Sequence, residues 1–259
     1  LASGVRLNTA GELFVQHIRT QTAELARVQS QIADLSGIRR GHVRIASGAD
    51  TMRYFLPETV SRYRGEHPAV TFDLVRQSGD AAEQALRTLE ADLALIFEPI
   101  KSADFQTMAT ARQQLYCMMS ANHPLAKKPM IRLRDCVGQP AILPRADAGL
   151  RQLLNVGLIR RSVELGTAIE SNSQEFLQNY LTHEMVISFQ IPIAMPSDLI
   201  TAPAPNSAIV ARPVALADVP AGILHIGQLK GRVLPVAAAK FLDSIITELG
   251  ARYGDDIDQ

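Results

Sequence analysis

The side chains in this 259-residue sequence that could do chemistry are groups suited to binding, not a catalytic set. Cys117 lies in the apolar run "QLYCMMS" and Cys136 in "RLRDCVGQP". Neither has a second Cys or a His beside it at metal-ligand spacing, so both read as reduced, buried thiols of a reducing compartment. His67 and His123 each precede a Pro and read as turn residues. No Ser–His–acid set, phosphate loop or metal signature is present. The expectation is therefore a non-enzyme with no cofactor and no metal.

Polar residues gather instead where strand patterns end. Ser47, Gly48, Asp50 and Thr51 follow "GHVRI", Gln77 and Ser78 close "AVTFDLVRQSGD", and Phe97 closes "DLALIF". Free backbone N–H groups at a helix start, joined by Ser and Thr hydroxyls, suit a carboxylate or a similar anion. Asp50 brings a negative charge of its own and reads equally well as a helix cap. Arg145, after "AILP", could grip an acid through both guanidinium nitrogens; the alternative is a solvated loop Arg. Asn172 and Ser173 precede a helix, one as its N-cap and either as a polar contact for a ligand. Phe189 completes the candidate set.

The elements that must position these groups alternate. "GHVRIAS" reads as a strand and "RYFLPETVSRYRGEHP" as a helix with Leu56, Val60 and Tyr63 on one face. "AVTFDLVRQ" follows as a strand, "AAEQALRTLEA" as a helix and "DLALIFEP" as a buried strand. Strand, helix, strand, helix, strand indicates an open α/β sheet, whose ligand site lies at the carboxyl ends of its strands. A second α/β unit follows, from the strand in "QQLYCMMS" through "PAILPR", "AGLRQLLNVGLIRR", "SVELGTAIES" and "SQEFLQNYLTHEMVISFQIP". A strand and an amphipathic helix with Phe241, Ile245 and Leu249 on one stripe close the chain.

In front of all this stands a long helical pattern. Between Asn8 and Ser36 there is no Pro and only one Gly. Asn8 suits an N-cap, Glu12 the first turn, and Gly37 a stop. Phe14, Gln21, Val28 and Leu35 form one row at spacing seven, and Ile18, Leu25 and Ile32 a second. Together they make a heptad seam over three turns of the repeat, backed by polar faces. Such a stripe calls for a partner helix, so Phe14, Ile18, Leu25, Val28, Ile32 and Leu35 are candidate dimerisation residues.

Net charge is zero, so the molecule as a whole carries no basic field of the kind that draws nucleic acid. The charge is uneven, though. Residues 1–44 hold six Arg against three acids, a net +3. No apolar run reaches the ~18 residues of a membrane span, and no signal-peptide pattern opens the chain. A cytoplasmic protein with no membrane partner is expected.

"GVRLNTAGELF", the long helix and "GHVRIASGADTMRYFLPETVSRYRGEHPAVTF" resemble the LysR-type bacterial transcriptional regulators. Leu7, Ala10, Gly11 and Glu12 match that family's usual R-G-V-x-L-T-x-A-G-E run, with Asn8 in place of the Thr. "DLALI", "HPLA" and the last helix with Phe241 continue the match. The resemblance implies that a helix-turn-helix domain once preceded Leu1. Residues 1–7 would be a remnant of its wing, with Arg6 reaching DNA, and 8–41 the linker helix and hinge. It further implies an α/β, periplasmic-binding-protein-like effector domain of two subdomains joined by two crossover strands. Subdomain I would be 42–119 plus 226–250, subdomain II 120–225, and 251–259 a tail. A small-molecule effector, an organic acid in character, would sit in the cleft. The chain would act as a homodimer or homotetramer on DNA, held through the missing domain. The sequence departs from the family in two places that usually hold glycine, one at Leu89 and one at His183 and Met185. A two-lobed solute-binding protein serving a transporter is the alternative, and the long heptad helix argues against it.

Overall fold

The computed structural model describes residues 7–35, 40–77, 79–97, 99–146, 148–171, 173–201, 207–253 and 257–258. Arg6, Ser78, Asn172 and Gly37 lie outside the described residues.

The first element is the long helix α1, Thr9–Leu35. Asn8 caps it as expected: its Oδ1 accepts from Gly11 N at 2.9 Å, while Glu12 N donates to its carbonyl. At 1.5 Å per residue the 27 residues extend about 40 Å. One flank of α1 rests on the body of the molecule. Arg19 pairs with Glu90 at 2.8 Å, and Gln16 Nε2 donates to the Arg87 carbonyl at 3.2 Å. The opposite flank carries Phe14, Ile18, Leu25, Val28 and Ile32, all exposed, and Leu13 beside them. The side chain of Leu35 is outside the described residues.

Two sheets follow. The first has the order β11-β4-β10-β3-β1-β2. Its strands are β1 (Gly41–Ser47), β2 (Val70–Arg76), β3 (Leu93–Phe97), β4 (Phe105–Gln113), β10 (Gly222–Leu229) and β11 (Ile257–Asp258). β1 runs parallel to both β2 and β3, as the strand–helix alternation requires, and β10 runs antiparallel between β3 and β4. Helices α2 (Ala49–Met52), α3 (Phe55–Glu66), α4 (Asp80–Arg87) and α8 (Val236–Tyr253) belong to this lobe. The second sheet has the order β7-β6-β8-β5-β9, built from β5 (Tyr116–Ser120), β6 (Pro140–Pro144), β7 (Gly166–Ser171), β8 (Ile187–Gln190) and β9 (Ile209–Pro213). It carries α5 (Gly149–Arg161), α6 (Gln174–Tyr180) and α7 (Ser197–Thr201).

The chain passes between lobes twice, from β4 to β5 and from β9 to β10. At the crossing, Val214 N donates to Leu115 O at 2.8 Å, and Gln114 Nε2 donates to Val214 O at 2.9 Å. Leu115 and Val214 are fully buried, and one hydrophobic cluster runs through them from lobe to lobe. The expected subdomain boundary at 119/120 is corrected here, because β5 hydrogen-bonds only within the second sheet. The return boundary at 225/226 shifts likewise, since β10 pairs with β4 from Gly222 onward.

Both departures at glycine positions are met without glycine. Leu89 adopts φ +57°, a left-handed conformation that normally favours glycine. Its carbonyl accepts from Arg44 Nη1 at 2.6 Å, which helps hold that conformation. Around His183 and Met185 the turn closes through Thr182 N to Asn179 O and His183 N to Tyr180 O, and neither residue has a positive φ.

Cys117 and Cys136 are both fully buried. The Cys136 thiol beside it, together with burial, holds the Cys117 thiol well above the usual range, so little thiolate forms. A thiol reagent such as Ellman's is therefore expected to leave both cysteines untouched in the folded protein and to titrate both in denaturant. Fast labelling of either in the native state would contradict the buried geometry.

Candidate functional site

Between the lobes lies a cleft of about 560 Å³. Its walls are strand ends and helix starts. From the first lobe come Gly48 and Asp50 at the start of α2, Arg76 and Gln77 at the end of β2, Gly79 and Asp80 at the start of α4, and Phe97 at the end of β3. The second lobe contributes Pro144 at the end of β6, Arg145 after it, Ala148 and Gly149 at the start of α5, and Gln174 on α6. Parallel strands ending beside one another produce this arrangement, because each strand hands the chain to a helix at the same edge.

Of the expected contacts, Gly48, Asp50, Gln77, Phe97 and Arg145 are brought together here. Ser47 and Thr51 are not. Both are fully buried, and their hydroxyls hydrogen-bond to one another, Ser47 also donating to Leu95 O at 3.3 Å. A short 3₁₀ turn at Pro192–Ala194 packs against α2 and closes this layer beneath the cleft. Ser173 spends its hydroxyl on capping α6, accepting from Phe176 N at 3.1 Å. Phe189 is buried in the core of the second lobe.

Sequence reasoning passed over Arg76, Lys101 and Gln174. Gln174 Nε2 donates to Asp50 Oδ1 across the cleft, the side-chain bridge between α6 and α2. Burial pushes the Asp50 carboxyl up, and the hydrogen bond from Gln174 partly offsets this. The Oε1 atoms of Gln77 and Gln174 have no hydrogen-bond partner. Lys101 answers Asp80 at 3.0 Å. Arg76 and Arg145 are exposed, and among the described residues neither side chain has a hydrogen-bonded or ion-paired partner. Arg76 was legible in principle, since it stands one residue before Gln77 at the same strand end.

The helix starts add to this field. The residues preceding α4 and α5 are Gly79 and Ala148, and neither helix has a side-chain cap. Their first N–H groups are left for water or a ligand, with the positive end of each helix dipole behind them. What the cleft can do is hold a small anion; among the described residues that line it there is no nucleophile–base pair.

Phe97 owes its position to Gly222 on β10. A Cβ there would overlap the Phe97 ring and stand 2.9 Å from Leu153 Cδ2. Gly222→Ala is expected to cost about 1–3 kcal/mol, the ordinary penalty of overpacking. A second change, Phe97→Leu, should recover much of it. Urea denaturation of the three variants checks this, and an unchanged midpoint in Gly222→Ala would mean the ring has room to move.

Two α/β lobes joined by a paired crossover, with a polar cleft between them, define the periplasmic-binding-protein-like class of two-lobed domains. Within that class the chain belongs to the LysR family: residues 36–250 match the LysR substrate binding domain. It is 24% identical over 174 residues to the HTH-type transcriptional activator CmpR of Synechocystis sp. (strain PCC 6803), covering 67% of this chain and 57% of that protein. It is 29% identical over 167 residues to the HTH-type transcriptional regulator CbbR of Sinorhizobium medicae, covering 62% and 52%. The chain thus spans about half the length of the curated relatives it matches. In fold it is similar to the CcmR regulatory domain of Synechocystis PCC6803 in complex with 2-PG, with TM-score 0.69, 20% identity and coverage of 83% and 99%. It is also similar to full-length OxyR from Pseudomonas aeruginosa, with TM-score 0.71, 19% identity and coverage of 100% and 82%.

Proposed function

We propose that this chain is the linker helix and effector-sensing part of a ligand-responsive, DNA-binding transcriptional regulator of the cytoplasm. The observation that carries this beyond family membership is the joint presence of two features. One is a cleft lined by unanswered positive charge between two hinged lobes. The other is a long helix whose outward flank exposes Phe14, Ile18, Leu25 and Val28. A solute-binding protein needs the first and has no use for the second.

A small anion that closes the cleft favours one lobe angle over another, by as much as its affinities for the two forms differ. Through the docking of Arg19 and Gln16 on the first lobe, that angle bears on the direction of α1. In an α1-paired dimer it would set the spacing of two DNA-reading heads. No helix among the described residues is long and apolar enough to cross a membrane, which accords with this role. The test is selection of genomic fragments by the full-length protein. A site with dyad symmetry is expected, and binding without sequence preference would count against a regulator.

A further inference from the structure

Each wall of the cleft holds the same pair of features. On the first lobe, Arg76 stands beside the uncapped start of α4 at Gly79. Across the cleft, Arg145 stands beside the uncapped start of α5 at Ala148. Of the other charged groups lining the cleft, Lys101 pairs with Asp80, and Asp50 accepts from the Gln174 amide while burial pushes its carboxyl up, toward the neutral form. Among the described residues two guanidinium groups therefore remain, one per lobe, each with free helix-start N–H groups alongside. The two places belong to opposite walls, so a ligand that engages both through charge presents an acid to each.

Building on the effector-cleft function proposed above, we infer that the ligand is a small molecule with an acid group at each end. One carboxylate or phosphate lies on Arg76 and the start of α4, and the other on Arg145 and the start of α5. Bidentate guanidinium–acid pairing fixes both ends, and helix-start amides add charge-assisted hydrogen bonds. A molecule held this way links the lobes directly, so closure and recognition become one event. Ligands with one acid fill one wall and leave the lobes unlinked.

The experiment uses this chain with straight-chain diacids from malonate to adipate, each beside its half-amide, and with inorganic phosphate as a compact anion. Thermal shift finds the binding chain length, and calorimetry gives the affinities. One diacid length should bind best and exceed its half-amide by roughly tenfold, the loss of one charged contact of about 1.4 kcal/mol. In Arg76→Gln and in Arg145→Gln that advantage should vanish, with the diacid falling to the half-amide's level. Equal binding of diacid and half-amide, weakened for both by Gln174→Ala, would overturn the two-ended ligand and leave the effector cleft standing. Binding untouched by all three substitutions would overturn both. If no diacid raises the melting temperature at millimolar concentration, the two-ended ligand is likewise overturned.

Discussion

Replacing Asp92 by Ala is expected to destabilise the protein by about 3 kcal/mol, the lower end for an ion cluster broken at its buried member. Asp92 is 1% exposed and stands just before β3. Its Oδ1 accepts from Arg44 Nη2 at 2.8 Å and from Arg232 Nη2 at 2.7 Å. Its Oδ2 accepts from Arg44 N at 3.0 Å and from Arg44 Nε at 3.2 Å. One carboxylate thereby ties β1, β3 and the turn after β10, three neighbours in the first sheet, and of these β1 and β3 end at the cleft. Removing it strands Arg232, whose side chain is only 10% exposed, whereas Arg44 at 27% can turn partly to water. That partial escape is why the lower end of the range applies. Asp92→Asn, which loses the charge but keeps one of the two accepting oxygens and leaves no cavity, should cost less than Ala. Urea midpoints of both variants decide this, and a change in Asp92→Ala below about 0.5 kcal/mol, the ordinary surface level, would show the cluster to be dispensable.

The second large effect lies on α1. Leu25→Asp with Ile32→Asp is expected to convert a dimer into monomers. Leu25 and Ile32 are 59% and 58% exposed in the isolated chain, on the flank that faces away from the body. Burying such a side chain is worth about 1.5–3 kcal/mol, and a symmetric dimer counts each substitution twice. The double variant thus forfeits at least about 6 kcal/mol before any penalty for buried charge, more than four orders of magnitude in dissociation constant. The fold itself should survive, because both residues are largely exposed and neither belongs to the buried core. Sedimentation velocity with circular dichroism separates assembly from folding. A wild-type chain that stays monomeric at micromolar concentration would contradict the seam.

Local signals were legible in the sequence and long-range ones were not. The cap at Asn8, the strands at 41–47 and 93–97, and the face of Leu56, Val60 and Tyr63 follow from spacing alone. β4 went unread, because "FQTMATARQ" buries two alanines and a glutamine and shows no apolar alternation. The candidate site divided in the same way. Gly48, Gln77, Phe97 and Arg145, chosen as strand ends, line one cleft. Ser47 and Thr51 line no part of it: both are buried with their hydroxyls bonded to each other, and a turn at 192–194, distant in sequence, packs against the helix that carries Thr51. The Asp50–Gln174 bridge joins residues 124 positions apart, and no local pattern reports such a pairing. Arg76 escaped notice because a strand-terminal Arg looks solvated until the opposite wall is known.

The central claim is that one ligand is held by both lobes at once, and hydrogen–deuterium exchange on the diacid-bound chain tests it most directly. Protection is expected together at 48–50, 76–81, 145–150 and 174–177, the strand ends and helix starts of both walls. Protection confined to one lobe, or found away from these segments, would contradict it.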